Sequence, residues 1–200
     1  MMRILLHVCC GPCAIYPVAR LREQGHAVTG LFHNPNIHPY QEFRRRIEAL
    51  AQFAEGADFP VEVDEHYGLT EYLRTVVFHE RERCPLCYDL RLKRTVQAAV
   101  AGGYDAFTST LLYSRYQNHS LLVEKCTALA NRHNLIFHDE DFRLGGRLLA
   151  EKREIDGKPA AEWLAATLAE LESIPEVRIM PRTTVFGLYD HGIYGAVERV

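Results

Sequence analysis

The sequence predicts an α/β fold in which helices cover both faces of a doubly wound, mostly parallel sheet. Two observations predict it. Short apolar runs alternate with stretches of helical periodicity at the spacing of βαβ units, and glycine or proline marks most of the junctions between them. Ligands of such folds bind at the carboxyl ends of the strands. We therefore expect a functional site to be formed by the residues that follow the apolar runs.

Apolar runs and helical periodicity place the predicted strands and helices, and glycines and prolines mark where they end. The predicted strands are 3–8, 26–32, 59–63, 104–109 and 135–138, and the predicted helices are 14–24, 40–55, 69–78, 85–100 and 117–133. Gly25 ends the first helix, because glycine adopts the left-handed conformation found after helices. Pro35 and Pro39 exclude a helix or a central strand between them. Pro85 suits the first turn of a helix, and the Gly102-Gly103 pair ends that helix.

The chain is expected to divide at about residue 143. Residues 1–143 contain the alternating elements and are predicted to form the catalytic α/β domain. Residues 144–200 are predicted to be a helical C-terminal extension packed on the same domain, with a helix over Pro159–Leu171 and a short strand over 177–180. The segment 181–200 has no clear period.

Composition narrows the class of protein. With 200 residues, 48% hydrophobic and 24% charged, the chain is average for a soluble domain, which excludes disordered, collagen-like and coiled-coil chains. No apolar run reaches the roughly 20 residues that cross a bilayer, so we expect a cytoplasmic protein with no membrane partner. Because the net charge is −3, any polyanion contact must come from local clusters. One such cluster is Arg44–Arg46, whose alternative role is to pair with Glu42 and Glu48.

The cysteines are the most informative residues. Five of the six fall in two groups, Cys9, Cys10 and Cys13 after the first strand, and Cys84 and Cys87 at a predicted helix start. Grouped thiols at a strand end suit an iron–sulfur cluster or zinc. The alternatives are a thioredoxin-type motif, a structural zinc site and unrelated buried cysteines. Cys126 lies among leucines and valines of a helix and is predicted to be a core residue.

Five blocks of the sequence resemble the QueH family of epoxyqueuosine reductases. They are Leu5-Leu6-His7-Val8-Cys9-Cys10-Gly11-Pro12-Cys13, Asn34-Pro35-Asn36-Ile37-His38-Pro39, Cys84-x-x-Cys87-Tyr88-x-Leu90-Arg91-Leu92, Thr108-x-Thr110-Leu111-Leu112 with Tyr116-Gln117-Asn118-His119, and Asp141-Phe142-Arg143. The resemblance implies a Rossmann-like sheet of the nucleotide-hydrolase-like superfamily. It also implies removal of the epoxide oxygen from epoxyqueuosine at the tRNA wobble position without cobalamin. The implied cofactors are a [4Fe-4S] cluster and an adjacent mononuclear iron or zinc. The resemblance also implies an electron donor of low potential, whose identity the sequence does not give.

Candidate site residues follow from this chemistry and from their positions at or after strand ends. Proton donors would be His7, His119 and Asp141, with a core histidine as the alternative for His7. The candidate substrate-binding residues are Asn34, Asn36, His38, Tyr113, Gln117, Asn118 and Arg143. Their alternatives are local: Asx turns for Asn34 and Asn36, and a helix cap for Asn118.

The end of the chain departs from the family pattern. Family members finish with a Cys-Gly-Cys segment, whereas no cysteine follows Cys126 here. If that segment serves redox chemistry or protects the cluster, electron delivery or oxygen tolerance must differ in this protein. Two alternative functions remain at this stage, a zinc-stapled tRNA-binding protein and a thiol-transfer protein, both without cluster redox chemistry.

Overall fold

A five-stranded, all-parallel sheet forms the centre of the molecule. The computed structural model describes residues 1–145, 154–155, 158–175, 183–189 and 193–198. The strands are β1 (Arg3–His7), β2 (Ala27–Phe32), β3 (Val61–Val63), β4 (Ala106–Ser109) and β5 (Ile136–Phe137). Their order is β3-β2-β1-β4-β5, the Rossmann order. The predicted fold class is confirmed.

The helices alternate with the strands as predicted. They are α1 (Gly11–Glu23), α2 (Tyr40–Gly56), α3 (Leu69–Val76), α4 (Arg83–Ala101) and α5 (His119–His133), with 3-10 helices at Glu80–Glu82 and Thr110–Tyr113. Helix α1 packs against α2, and α4 packs against α5. The first helix begins three residues earlier than predicted, because Pro12 fits its first turn, and Cys13 is consequently helical.

Burial follows the sequence pattern closely. The strand β1 is central, and Ile4, Leu5 and Leu6 are fully buried because helices cover both faces of the sheet. Cys126 is also fully buried, as predicted, and burial raises the pKa of its thiol to about 12. This cysteine is therefore a core residue.

The chain forms two compact units, Met1–Leu149 and Ala150–Val200. In the second unit, β6 (Glu154–Ile155) pairs with β7 (Lys158–Pro159), α6 (Ala160–Glu172) follows, and β8 (Thr183–Tyr189) pairs antiparallel with β9 (Ile193–Glu198).

The second unit departs in part from its prediction. The predicted helix is confirmed, but the extension also contains strands. A register irregularity between Val185 and Gly187 interrupts the two-residue alternation by which β8 could have been predicted. The strand predicted at 177–180 lies outside the described residues. None of the described helices is long and apolar enough to cross a membrane.

Candidate metal and substrate site

The site lies where the order of the strands reverses. The strands β2 and β4 flank β1 on opposite sides, so the loops after β1 and β4 meet at the carboxyl edge. Two hydrogen bonds join them. The Cys9 backbone N–H donates to Thr110 Oγ1 at 3.1 Å, and the Thr110 hydroxyl donates to Cys9 Sγ at 3.4 Å.

Three cysteines converge in the loop that follows β1. The sulfur atoms of Cys9, Cys10 and Cys13 all lie within 4.8 Å of one another. Gly11 permits this path, because a Cβ atom at this position would overlap the backbone carbonyl oxygen of Ala49 in α2. The chain then enters α1 at once, and the positive end of that helix favours thiolate at the sulfurs beside it.

Electrostatics distinguishes the three thiols. Hydrogen bonds from the Cys10 and Cys13 thiols hold the pKa of Cys9 well below its usual range, whereas hydrogen bonds with Cys10 and Cys9 raise the pKa of Cys13. Of the three thiols, Cys9 therefore ionises most readily. Three soft sulfur donors this close together fit a thiophilic metal or an iron–sulfur cluster.

The other two cysteines lie in the first turns of α4. Cys84 is exposed, and Cys87 is buried. Arg91 Nη1 donates to Cys87 Sγ at 3.6 Å, and Arg91 Nε donates to His7 Nε2 at 3.4 Å. Since His7 precedes Cys9 by two residues, Arg91 links the two cysteine groups. Within the part of the chain that the structure describes, the compact group of sulfurs comprises Cys9, Cys10 and Cys13, so convergence of all five stays a prediction.

His7 is fully buried on β1. Its Nδ1 lies 2.9 Å from Ser109 Oγ on β4. Burial, reinforced by the charge of Arg91, lowers the pKa of His7 to about 3, so the ring is neutral at pH 7. This environment favours the core-histidine interpretation over that of a proton donor.

A cavity of about 910 Å³ opens beside Cys13, and this volume lies within the roughly 300–1,000 Å³ that is typical of small-ligand sites. Besides Cys13, its lining includes three predicted site residues, Tyr113, Asp141 and Arg143. Arg143 Nε donates to Asp141 Oδ1 at 2.7 Å, and this bond holds the pKa of Asp141 below its usual range. His119 Nε2 lies 3.7 Å from the same carboxylate oxygen.

A smaller cavity of about 190 Å³ lies at the start of α4. Asn36 and Gln117 line it together with Cys84 and Cys87. Gln117 Oε1 accepts a hydrogen bond from Tyr88 Oη at 2.7 Å. Asn36 Oδ1 is buried and has no hydrogen-bond partner among the described residues, so it is available to a ligand donor.

The remaining predicted binding residues have local partners. Asn34 Nδ2 donates to the Val8 carbonyl at 2.9 Å, and His38 Nδ1 lies 2.9 Å from Tyr67 Oη. Asn118 Oδ1 accepts from the Leu121 N–H at 3.1 Å and caps α5, as its alternative interpretation requires. Binding by these three residues stays a prediction. Among the basic residues, Arg46 pairs with Glu42 at 2.7 Å.

Arg91 and Thr110 belong to the site but are not among the residues predicted for it from the sequence. Arg91 follows Cys87 by four residues on α4, a spacing that places two side chains on one face of a helix. That signal was available in the sequence. Predicting Thr110 as a site residue would have required the strand order, because the pairing of β1 with β4 brings it to Cys9.

A family model described as Epoxyqueuosine reductase QueH matches residues 4–156. The chain belongs to the QueH family. The protein named Epoxyqueuosine reductase QueH from Dehalococcoides mccartyi is 36% identical over 141 residues, covering 70% of this chain and 78% of its own. The proteins of the same name from Helicobacter pylori and Streptococcus pyogenes are 32% and 38% identical, and the matches cover 70% and 58% of this chain.

Some QueH relatives are considerably longer, since the matches span 40% of the Helicobacter pylori protein and 49% of the Streptococcus pyogenes protein. Among solved structures, a predicted subunit of tRNA methyltransferase from Methanocaldococcus jannaschii aligns with a TM-score of 0.48 at 13% identity, covering 74% of this chain and 76% of its own. The QueH match includes both cysteine groups and both cavities.

Proposed function

We propose that this QueH-family chain reduces epoxyqueuosine at the wobble position of tRNA to queuosine without cobalamin. The observation that carries the proposal is the group of three sulfur donors beside a cavity of about 910 Å³ at the strand-order reversal. Sulfur ligands suit electron transfer, and the cavity gives a modified nucleoside access to Cys13.

The residues proposed to hold the cofactors are Cys9, Cys10, Cys13, Cys84 and Cys87. A [4Fe-4S] cluster bound there would supply single electrons, and an adjacent iron or zinc would supply Lewis-acid polarisation of the epoxide C–O bond. Four thiolates suffice for one cluster, so a fifth leaves a ligand for the second ion.

Conversion of the epoxide to an alkene takes up two electrons and two protons and releases water. The electrons would come from an external low-potential donor. We assign proton delivery to His119 and the orientation of its ring to the ionised carboxylate of Asp141, because Asp141 lines the cavity and its Oδ1 lies 3.7 Å from His119 Nε2. Arg143 fixes that carboxylate. His7, being neutral and buried, would serve to position Arg91.

Substrate recognition would involve both cavities. Tyr113 and Arg143 line the larger one, and Asn36 and Gln117 offer amide groups in the smaller one. Asn34, His38 and Asn118 would shape the loops that carry these residues.

The rim of the larger cavity suits tRNA. The wobble nucleotide must leave its stack to react. Tyr116 is 81% exposed, and the Arg115 guanidinium lies 4.9 Å from the centre of its ring. An exposed aromatic ring paired with a guanidinium can stack on a base and contact a phosphate.

The test uses protein purified anaerobically. Incubation with epoxyqueuosine-containing tRNA and a low-potential reductant should remove one oxygen mass from the nucleoside. Cys84→Ala and Cys87→Ala should lose bound iron and activity. Cys126→Ala is the matched control, because the same change in the core removes no ligand. A colourless wild-type protein that contains zinc and leaves the oxygen in place would reject the proposal in favour of a zinc-stapled tRNA-binding protein. A metal-free dithiol would favour thiol transfer.

A further inference from the structure

Arg91 is a buried cation that has no acidic partner in the described part of the chain. Its side chain lies on α4, and the residue is only 5% exposed. Among the described residues, no carboxylate oxygen lies within 4.0 Å of its nitrogens. A guanidinium does not give up its proton in proteins, and a buried charge is costly unless it is paired. A negative charge close to Arg91 would therefore remove the cost of burying its guanidinium.

The groups in contact with Arg91 indicate where that charge belongs. Nε contacts His7 Nε2, which brings no negative charge, at 3.4 Å, and Nη1 contacts Cys87 Sγ at 3.6 Å. Arg91 also lines the cavity of about 190 Å³ with Cys84 and Cys87. Cys87 is a proposed ligand of the metal centre, so the anion nearest to Arg91 is the thiolate that Cys87 supplies when the centre is bound.

We propose that Arg91 is a positioning residue that supplies the counter-charge for the thiolate centre and thereby raises its reduction potential. The inference rests on the proposed function, which supplies the redox centre. An N–H···S hydrogen bond and a neighbouring positive charge both favour the more negative, reduced form of a sulfur-ligated centre. The centre gains one electron from the external donor, and Arg91 forms no covalent bond.

Three variants separate charge from shape. Arg91→Met removes the charge at similar length, Arg91→Lys keeps it without the planar fork, and Lys93→Met removes a charge from an exposed position of the same helix. Each protein is purified anaerobically, its iron and sulfide are counted, and its midpoint potential is measured by redox titration followed by electron paramagnetic resonance.

In R91M we expect at least a tenfold fall in the ratio of reduced to oxidised centre at a fixed potential, which is about 59 mV for one electron. R91K should lie near the wild type, and K93M should match it. Loss of the centre from R91M but not from R91K also supports the proposal. An unchanged potential in R91M, or loss of the centre from both Arg91 variants, overturns it.

A different measurement tests Arg91 if the wild-type protein holds zinc and the proposed function fails. Zinc release to 4-(2-pyridylazo)resorcinol should then be at least tenfold faster from R91M than from wild type, R91K or K93M. Equal release rates would overturn the counter-charge role. The failure of the redox function and the failure of the Arg91 inference are thus distinguishable.

Discussion

Replacement of Gly11 by alanine tests how closely the cysteine loop depends on packing. Gly11 is the first residue of α1 and lies between Cys10 and Cys13. A methyl group at this position would overlap the Ala49 carbonyl group, and the Cα of Leu50 lies 3.3 Å away. These contacts are backbone atoms of α2, so no side-chain rotation can relieve them. Either α2 or the cysteine loop must shift.

The magnitude follows from two opposing terms. Alanine in a helix gains up to about 1 kcal/mol over glycine. Overpacking costs about 1–3 kcal/mol, and a rigid backbone contact belongs at the upper end of that range. The net loss of unfolding free energy should be about 2 kcal/mol. In a domain of this size that lowers Tm by about 4–8 °C.

The matched control is Gly56→Ala at the end of α2, where a Cβ atom would meet nothing within 4 Å. Thermal unfolding and iron content are measured for both variants. G11A should lose stability and iron together, whereas G56A should keep its iron and a Tm at or slightly above that of the wild type. If G11A were as stable as G56A and retained its full iron content, the close-approach argument would be refuted.

Two further predictions concern the tRNA surface and pH. Tyr116→Ala should weaken tRNA binding about fivefold or more, since base stacking is worth about 1–3 kcal/mol, whereas Tyr116→Phe should keep most of the affinity. Dissociation constants are measured by filter binding, and equal values for the wild type and Tyr116→Ala would exclude stacking. Burial lowers the pKa of His33 despite Asp64 at 2.9 Å, so the unfolded chain binds its proton more readily than the folded one. The stability contribution of neutral His33 is therefore present above about pH 6.5 and declines below it. The free energy of unfolding in urea should fall from about pH 6.5 to about pH 5, and His33→Gln should make that fall smaller. An unchanged dependence on pH in His33→Gln would contradict this reasoning.

The sheet could be predicted because its signals are local. Ile4, Leu5 and Leu6 form an apolar run, and the same residues are fully buried in the central strand. The start of α1 could not be placed as well, because Cys-Cys-Gly-Pro-Cys is also a typical loop sequence. The close approach of Gly11 to Ala49, 38 positions later in the chain, is a long-range contact that the local sequence does not show.

The site was predicted unevenly for the same reason. The grouping of Cys9, Cys10 and Cys13 is visible in the sequence, and the structure brings their sulfurs together. The cavity beside Cys13 depends on long-range packing, since Tyr113 and Asp141 come from different elements. The sequence therefore identifies the type of chemistry more readily than it identifies the residues that surround the reacting group.

The electrostatics of the site explains how an acidic chain can stabilise several thiolates. The net charge of −3 gives no general attraction for anions, so the positive potential must be local. The starts of α1 and α4 supply two partial positive charges, and Arg91 adds a full one. In many α/β proteins a helix start of this kind binds phosphate through its free N–H groups. Here Pro12 removes one such donor and Cys13 lies in the same turn, so the potential acts on sulfur that belongs to the chain itself.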